Sequence, residues 1–242
     1  MSDHGGRHRG AHPADEKLFA PKQHETLRKA VADLSLLFSR GYASVASLKL
    51  VGDHFELKER QRLAVARAAC SDRQKELRKQ KLLPHEAIKE QNLLIDGFNL
   101  IVTMEAALSG GVLIRCRDDC LRDLSSVHGS YRSVAETDKA IDLISETLLA
   151  ATPASAVWLL DQPVSNSGRL AQRIREMSLE RDWPWSVEVV MNPDKVIRAS
   201  DQIAVTSDSN IIDGVKRWIN LGESLITRHM PDAWVVDLRD VS

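Results

Sequence analysis

Asp96 closes the apolar run NLLI at residues 92–95, Asp161 follows AVWLL at 156–160, and Asp208 stands just past IAVT at 203–206. Asp213 comes a short turn later, and the polar segment ahead of the last run adds Asp194 and Asp201. Ligands of a parallel sheet bind beyond the carboxyl ends of its strands, which is where these side chains would gather. Carboxylates that converge there repel one another unless protonated or neutralised by cations, and hard oxygen donors suit Mg²⁺ or Mn²⁺. Metal-assisted attack on a phosphodiester is the chemistry such a set serves best. Each aspartate taken alone reads better as the N-cap of the next helix, and Asp208 ahead of SNIID fits that role well. Recurrence at three strand ends favours the joint functional role.

The segment RCRDDCLRDLSSVHGSYR supplies the opposite charge. Arg115, Arg117, Arg122 and Arg132 offer guanidiniums for phosphate, Tyr131 a surface for a base, and His128 a proton donor or acceptor. The same arginines could instead pair with Asp118, Asp119 and Asp123 on an amphipathic helix. Cys116 and Cys120 would share a helix face, but zinc lacks a fourth ligand at normal spacing, so buried apolar cysteines are expected. Neither a G-x-x-x-x-G-K-[ST] nor a G-x-G-x-x-G loop occurs, and G-x-S-x-G is absent. A triphosphatase, a dinucleotide oxidoreductase and a serine hydrolase are therefore disfavoured.

The elements that must carry these residues fall into three stretches of a 242-residue chain. Residues 1–20, rich in Gly, His, Arg and Pro and holding His4, His8 and His12, read as a tail without structure. Residues 21–91 form a basic helical segment, with helices expected at 21–41, 44–51 and 57–70, then a basic connector broken by Pro84. Its third helix is arginine-rich and loosely resembles a helix-turn-helix reader. From residue 92 onward five strand-like runs, the last being Trp234–Leu238, alternate with helical stretches around 102–108, 135–150, 167–181 and 209–219. That alternation predicts a three-layer α/β domain with a parallel sheet over 92–242.

The charges divide along the same line. Residues 1–91 hold 18 Lys and Arg against 12 Asp and Glu, and residues 92–242 hold 15 against 22. A basic part beside an acidic part suits a protein that attracts a polyanion while concentrating carboxylates around cations; two oppositely charged surfaces docked on each other would give the same arithmetic. Three cysteines fit a reducing compartment, no apolar run approaches a membrane span, and the expected location is the cytoplasm.

LLIDGFNLI followed by IAVTSDSNIID resembles the PIN/NYN-like nuclease superfamily over about residues 92–240. In that superfamily the first strand ends in an Asp followed three residues later by an Asn, and a later strand ends in Thr/Ser-x-Asp. The whole chain, including SLKLVGDHFELKERQRLAVARAAC, is also similar to a set of prokaryotic proteins of unassigned function. The superfamily resemblance implies a Rossmann-like PIN fold, metal ligation by Asp96 and Asp208, a weaker claim for Asp213, and an orienting, substrate-side role for Asn99. Glu136, at the start of ETDKAIDLI, is the candidate for the further acid supplied by a middle helix, with Asp138 close behind. Asp161 lies where only some members place a carboxylate, and Asn210 stands where others have an Asp. The implied function is a Mg²⁺- or Mn²⁺-dependent nuclease acting on RNA, with a homodimer compatible. The alternatives are a catalytically silent PIN-like nucleic-acid-binding or regulatory protein, which Asn210 motivates, and a phosphohydrolase acting on a small ester.

Overall fold

A computed structural model describes residues 8–125 and 129–239, so His4 and His128 lie outside the described residues. The chain first forms α1 (Asp15–Leu18), α2 (Pro21–Ser39), α3 (Ser44–His54), α4 (Glu59–Ala68) and α5 (Asp72–Lys81). In α2 the apolar stripe is the buried one. Pro21 opens the helix, Leu27, Ala30, Val31 and Leu34 face inward, and Gly41, at φ +80°, turns the chain after it.

Two expectations for this segment change. Residues 8–20 are not a structureless tail, because Phe19 is buried and Arg60 of α4 donates to both oxygens of buried Asp15, at 2.6 and 2.8 Å. One acid and one aromatic carry no period, so the local pattern does not announce their burial. The connector beyond Arg73 is the helix α5, opened by a capping box in which Ser71 Oγ accepts from the Gln74 N–H at 3.2 Å and Gln74 Oε1 from the Ser71 N–H at 3.0 Å. Pro84 therefore follows a finished helix. Ser71→Ala is expected to lower stability in urea unfolding by about 1 kcal/mol; an unchanged midpoint would show that the cap contributes nothing.

The remainder comprises β1 (Asn92–Asp96), α6 (Gly97–Leu108), β2 (Leu113–Arg115), β3 (Leu121–Asp123), α7 (Thr137–Ala151), β4 (Ser155–Asp161), α8 (Ser167–Glu180), β5 (Trp185–Val190), α9 (Pro193–Ala199), β6 (Ile203–Val205), α10 (Ser209–Gly214), β7 (Trp218–Ile219), α11 (Leu221–His229) and β8 (Val235–Asp237). A five-stranded parallel sheet runs in the order β5-β4-β1-β6-β7. The chain builds outward from β1 to one side, then returns to build the other, so the topological switch lies between β1 and β6. Side chains of β1 alternate: Leu93 and Ile95 pack with Ile101, Ile144, Ile174 and Leu225 of α6, α7, α8 and α11, while Leu94 packs with Ile197 and Ile211 of α9 and α10. Helices thus cover both faces.

A second sheet, β3-β2-β8, corrects three expectations. The run at Trp234–Leu238 supplies β8, which pairs with β2 and not with the main sheet. The main sheet's last strand is β7, inside the stretch expected to continue the helix from residue 209, which stops at Gly214. The stretch after Arg115 opens as an antiparallel hairpin, β2 and β3, with the Cys116 N–H bonded to the Cys120 carbonyl at 2.9 Å. Strands this short are too brief to show alternation, and burial on both faces hides it. Ile114 and Val236 pack with Val31, Leu34 and Val65 of the helical segment, whereas Leu113 joins the main core. All three cysteines are free and buried. Among the described residues no helix is long and apolar enough to cross a membrane.

Candidate functional site

Asp96 ends β1 and caps α6, with Oδ1 3.5 Å from the Asn99 N–H. Its Oδ2 accepts from the Thr206 hydroxyl at 2.9 Å, and the Thr206 oxygen in turn accepts the Asp208 N–H at 3.0 Å. Asn99 Oδ1 accepts from the Ser207 N–H and hydroxyl, at 2.8 and 2.9 Å. Asn99 therefore ties the loop after β6 to α6 across the switch point. Asp208 caps α10, with Oδ1 accepting the N–H groups of Asn210 and Ile211 at 2.7 and 3.3 Å. Capping holds both carboxylates in place, so that role and a ligand-facing one coexist.

Asp96, Asn99 and Asp208 line a cavity of about 330 Å³ together with Asp161 at the end of β4, Asp194 in the first turn of α9, Asp123 at the end of β3, and Arg67, Phe98, Thr103 and Ser209. Burial pushes the Asp96 carboxyl up, the Thr206 hydroxyl draws it back, and repulsion from Asp208 and Asp194 leaves it at about 7. Burial, then Asp208, raises Asp194, and burial raises Asp161. The donors are hard oxygens suited to Mg²⁺ or Mn²⁺. Among the described residues, however, no three His, Cys, Asp or Glu side chains stand together closely enough to hold an ion as they lie.

Other expected site residues are placed elsewhere. Asp213 lies outside the cavity, its carboxylate gripped by Arg78 Nε and Nη2 at 2.7 and 2.9 Å and by Gln74 at 2.8 Å, which fastens α5 onto α10. Glu136 stands just ahead of α7, making no capping bond there, and contacts His8, and Asp138 pairs with Arg173; neither lines the cavity. Arg115 pairs with Glu223 at 3.1 Å beside a different cavity, and Arg117 pairs with Asp72 at 2.7 Å. Arg132 is exposed and away from the cavity. Tyr131 offers no stacking surface, being buried with its hydroxyl on Glu105 at 2.6 Å. In α4, Arg60 and Arg62 pair with Asp15 and Asp53, an arrangement of internal ties unlike a free DNA-reading face. Asn210 lies in a neighbouring groove, so its missing charge is not missing from the cavity.

Arg122 does border the cavity, but as a buried strut. Its Nη1 and Nη2 meet Asp118 at 2.9 and 2.7 Å, Nε donates to the Ser207 carbonyl at 2.7 Å, and Nη1 also reaches the Arg67 carbonyl at 3.2 Å. Asp118 is shared with Arg78 at 2.6 Å. Asp123 is the residue the pattern concealed: its oxygens accept from the Thr103 hydroxyl at 2.8 Å and the Ser125 N–H at 2.7 Å. Only the hairpin, invisible in so short a stretch, carries it to the cavity.

Residues 85–224 match the domain of unknown function DUF5616, and residues 26–81 match a second family of unknown function, DUF434. The chain belongs to the DUF5616 family. It is also 35% identical over 198 residues to the uncharacterized protein MJ0935 of Methanocaldococcus jannaschii, covering 81% of this chain and 94% of that protein. No solved structure matches the chain. The five aspartates of the cavity all fall in the DUF5616 span, while Arg67 falls in the DUF434 span.

Proposed function

We propose that the α/β part is a PIN/NYN-like domain and that the protein is a divalent-metal-dependent nuclease acting on RNA. The observation that carries this function is the gathering of Asp96, Asp161, Asp194, Asp208 and Asp123, from separate stretches of chain, around one cavity at the topological switch of a parallel sheet. Asp96 and Asp208, with Asp194 beside them, would hold Mg²⁺ or Mn²⁺. Mg²⁺ commonly takes only one or two carboxylates, with waters and substrate oxygens completing its shell, so a dispersed set of this kind fits it. The ion would supply charge neutralisation at the phosphate and a water of lowered pKa. The protein's own contribution is to fix the two carboxylates through Thr206, Asn99 and Ser207.

Calorimetry with Mn²⁺ tests this on the wild type and on the double variant Asp96→Asn, Asp208→Asn. Stoichiometric binding lost in the double variant, with Mn²⁺-dependent RNA cleavage lost alongside it, is the expected result. Intact cleavage in the double variant would refute the assignment. Nucleic-acid binding without catalysis is a second function with a specific observation behind it, the lack of three converging ligating side chains among the described residues. It would show as salt-sensitive RNA affinity that needs no metal and is accompanied by no cleavage.

A further inference from the structure

Of the described residues lining the acidic cavity, Arg67 is the one supplied by the N-terminal helical segment. It sits in the last turn of α4 with its side chain 28% exposed. Nη1 donates to the Asp123 carbonyl and Nη2 to the Ser125 carbonyl, the latter at 2.8 Å. Its nearest carboxylate oxygen, Asp123 Oδ1, is 3.7 Å from Nη1, and that oxygen is already engaged by the Ser125 N–H.

An arginine serving only to balance this acidic wall would form a close, two-pronged pair with one of its carboxylates, as Arg60 does with Asp15. Arg67 instead directs its bonds to neutral main-chain carbonyls, which orient the guanidinium without cancelling its charge, and N–H groups remain for a further acceptor. Its own carbonyl is held by Arg122, the residue that also holds the Ser207 carbonyl beside Asp208. The cation and the loop bearing Asp208 are thus fixed by one strut. A cavity with carboxylates at the strand ends and an oriented guanidinium on the hairpin side matches a ligand that is itself two-signed, a phosphodiester with a divalent ion on it.

We propose that Arg67 binds a non-bridging phosphate oxygen of an RNA backbone, so that the helical segment completes the site of the α/β domain. The proposal rests on the nuclease assignment for which phosphodiester it binds, and its test separates the two. Fluorescence anisotropy with a labelled single-stranded RNA of about a dozen nucleotides, in Ca²⁺, is measured for the wild type, Arg67→Gln and Arg67→Lys, alongside Mn²⁺ calorimetry. A methylphosphonate oligomer of the same sequence, lacking the backbone charge, is the control.

Arg67→Gln is expected to weaken RNA binding roughly ten-fold and to reduce the salt slope by about one, with Mn²⁺ binding kept and the methylphosphonate bound alike by both proteins. Arg67→Lys, which retains the charge without the fork, should fall between them, and it carries the test if the glutamine variant does not fold. Wild-type RNA affinity in either variant, with Mn²⁺ binding intact, overturns the role of Arg67 and leaves the nuclease assignment standing. A parallel loss for the charged and uncharged oligomers also overturns it, as a merely structural tie would behave that way. A wild type that binds neither Mn²⁺ nor RNA overturns both.

Discussion

Asp118→Ala is expected to destabilise the protein by about 3–5 kcal/mol, which for a chain of this size is a fall in Tm of roughly 10–15 °C. The carboxylate is almost wholly buried and holds two guanidiniums, Arg78 Nη1 at 2.6 Å and Arg122 Nη2 at 2.7 Å, themselves 4% and 7% exposed. Burial pushes the Asp118 carboxyl up, but Arg122 and Arg78 more than offset it and hold it at about 2. Removing the carboxylate strands the desolvated Arg122 and leaves Arg78 with Asp213 alone, and that uncompensated charge, more than the lost hydrogen bonds, sets the cost. Urea unfolding monitored by tryptophan fluorescence measures it. A loss below about 1 kcal/mol would mean that Asp213 alone compensates Arg78 and that Arg122 reaches water.

The same substitution reaches the cavity. Arg122 bonds the Ser207 carbonyl, one residue before Asp208, and the Arg67 carbonyl, so loosening Arg122 releases both at once. Weaker Mn²⁺ binding should therefore accompany the stability loss at temperatures where the variant is still folded. The two oppositely charged parts of the chain are in this sense partly docked on each other. Arg78 grips Asp118 and Asp213, and Lys81 donates to the Ile212 and Asp213 carbonyls at 2.7 and 3.0 Å. Some of the basic excess read from composition is consumed internally, while Arg67 still faces the cavity.

What the sequence discloses follows from the length of each element. Apolar runs bounded by polar residues announce β1, β4 and β5, and Asp96 and Asp161 at the ends of the first two follow once the strands are recognised. The stripe in α2 shows its buried face directly, whereas the capping box of Ser71 and Gln74 opens α5 in a stretch expected to be a connector. Two- and three-residue strands leave no period to read, which hid β2, β3 and β7 and with them the route by which Asp123 enters the cavity. Arginines near one another in sequence also look alike. Arg115, Arg117 and Arg122 differ only in the partners that tertiary packing brings, Glu223, Asp72 and Asp118, and those partners are distant in sequence or lie across a hairpin turn. The position of Arg67 shows the same limit from the other side, since nothing in LAVARAAC marks its one arginine as facing a cavity built by another part of the chain.

Asp96→Asn should raise the stability of the metal-free protein near neutral pH while removing Mn²⁺ binding. The carboxyl is raised from its ordinary value near 3.8 to about 7, chiefly by burial. A group whose folded-state pKa is raised binds its proton more tightly in the native state, so it favours folding below the unfolded value and that contribution is lost as pH climbs through the folded value. In the wild type the loss develops between about pH 4 and pH 7 and amounts to roughly 2–4 kcal/mol. Asparagine keeps the shape and carries no charge to desolvate; its single oxygen can cap α6 while its NH2 donates to the Thr206 hydroxyl oxygen. In EDTA the melting curves of the two proteins should then nearly coincide at about pH 4 and separate by several degrees at about pH 8, with the variant higher. Adding Mn²⁺ at the higher pH should raise the wild type and leave the variant where it was. A difference independent of pH would mean that Asp96 is solvated and acts only as a cap, whereas a pH-dependent gap that closes with Mn²⁺ identifies a carboxylate held at a cost to folding because its charge is needed for the ion.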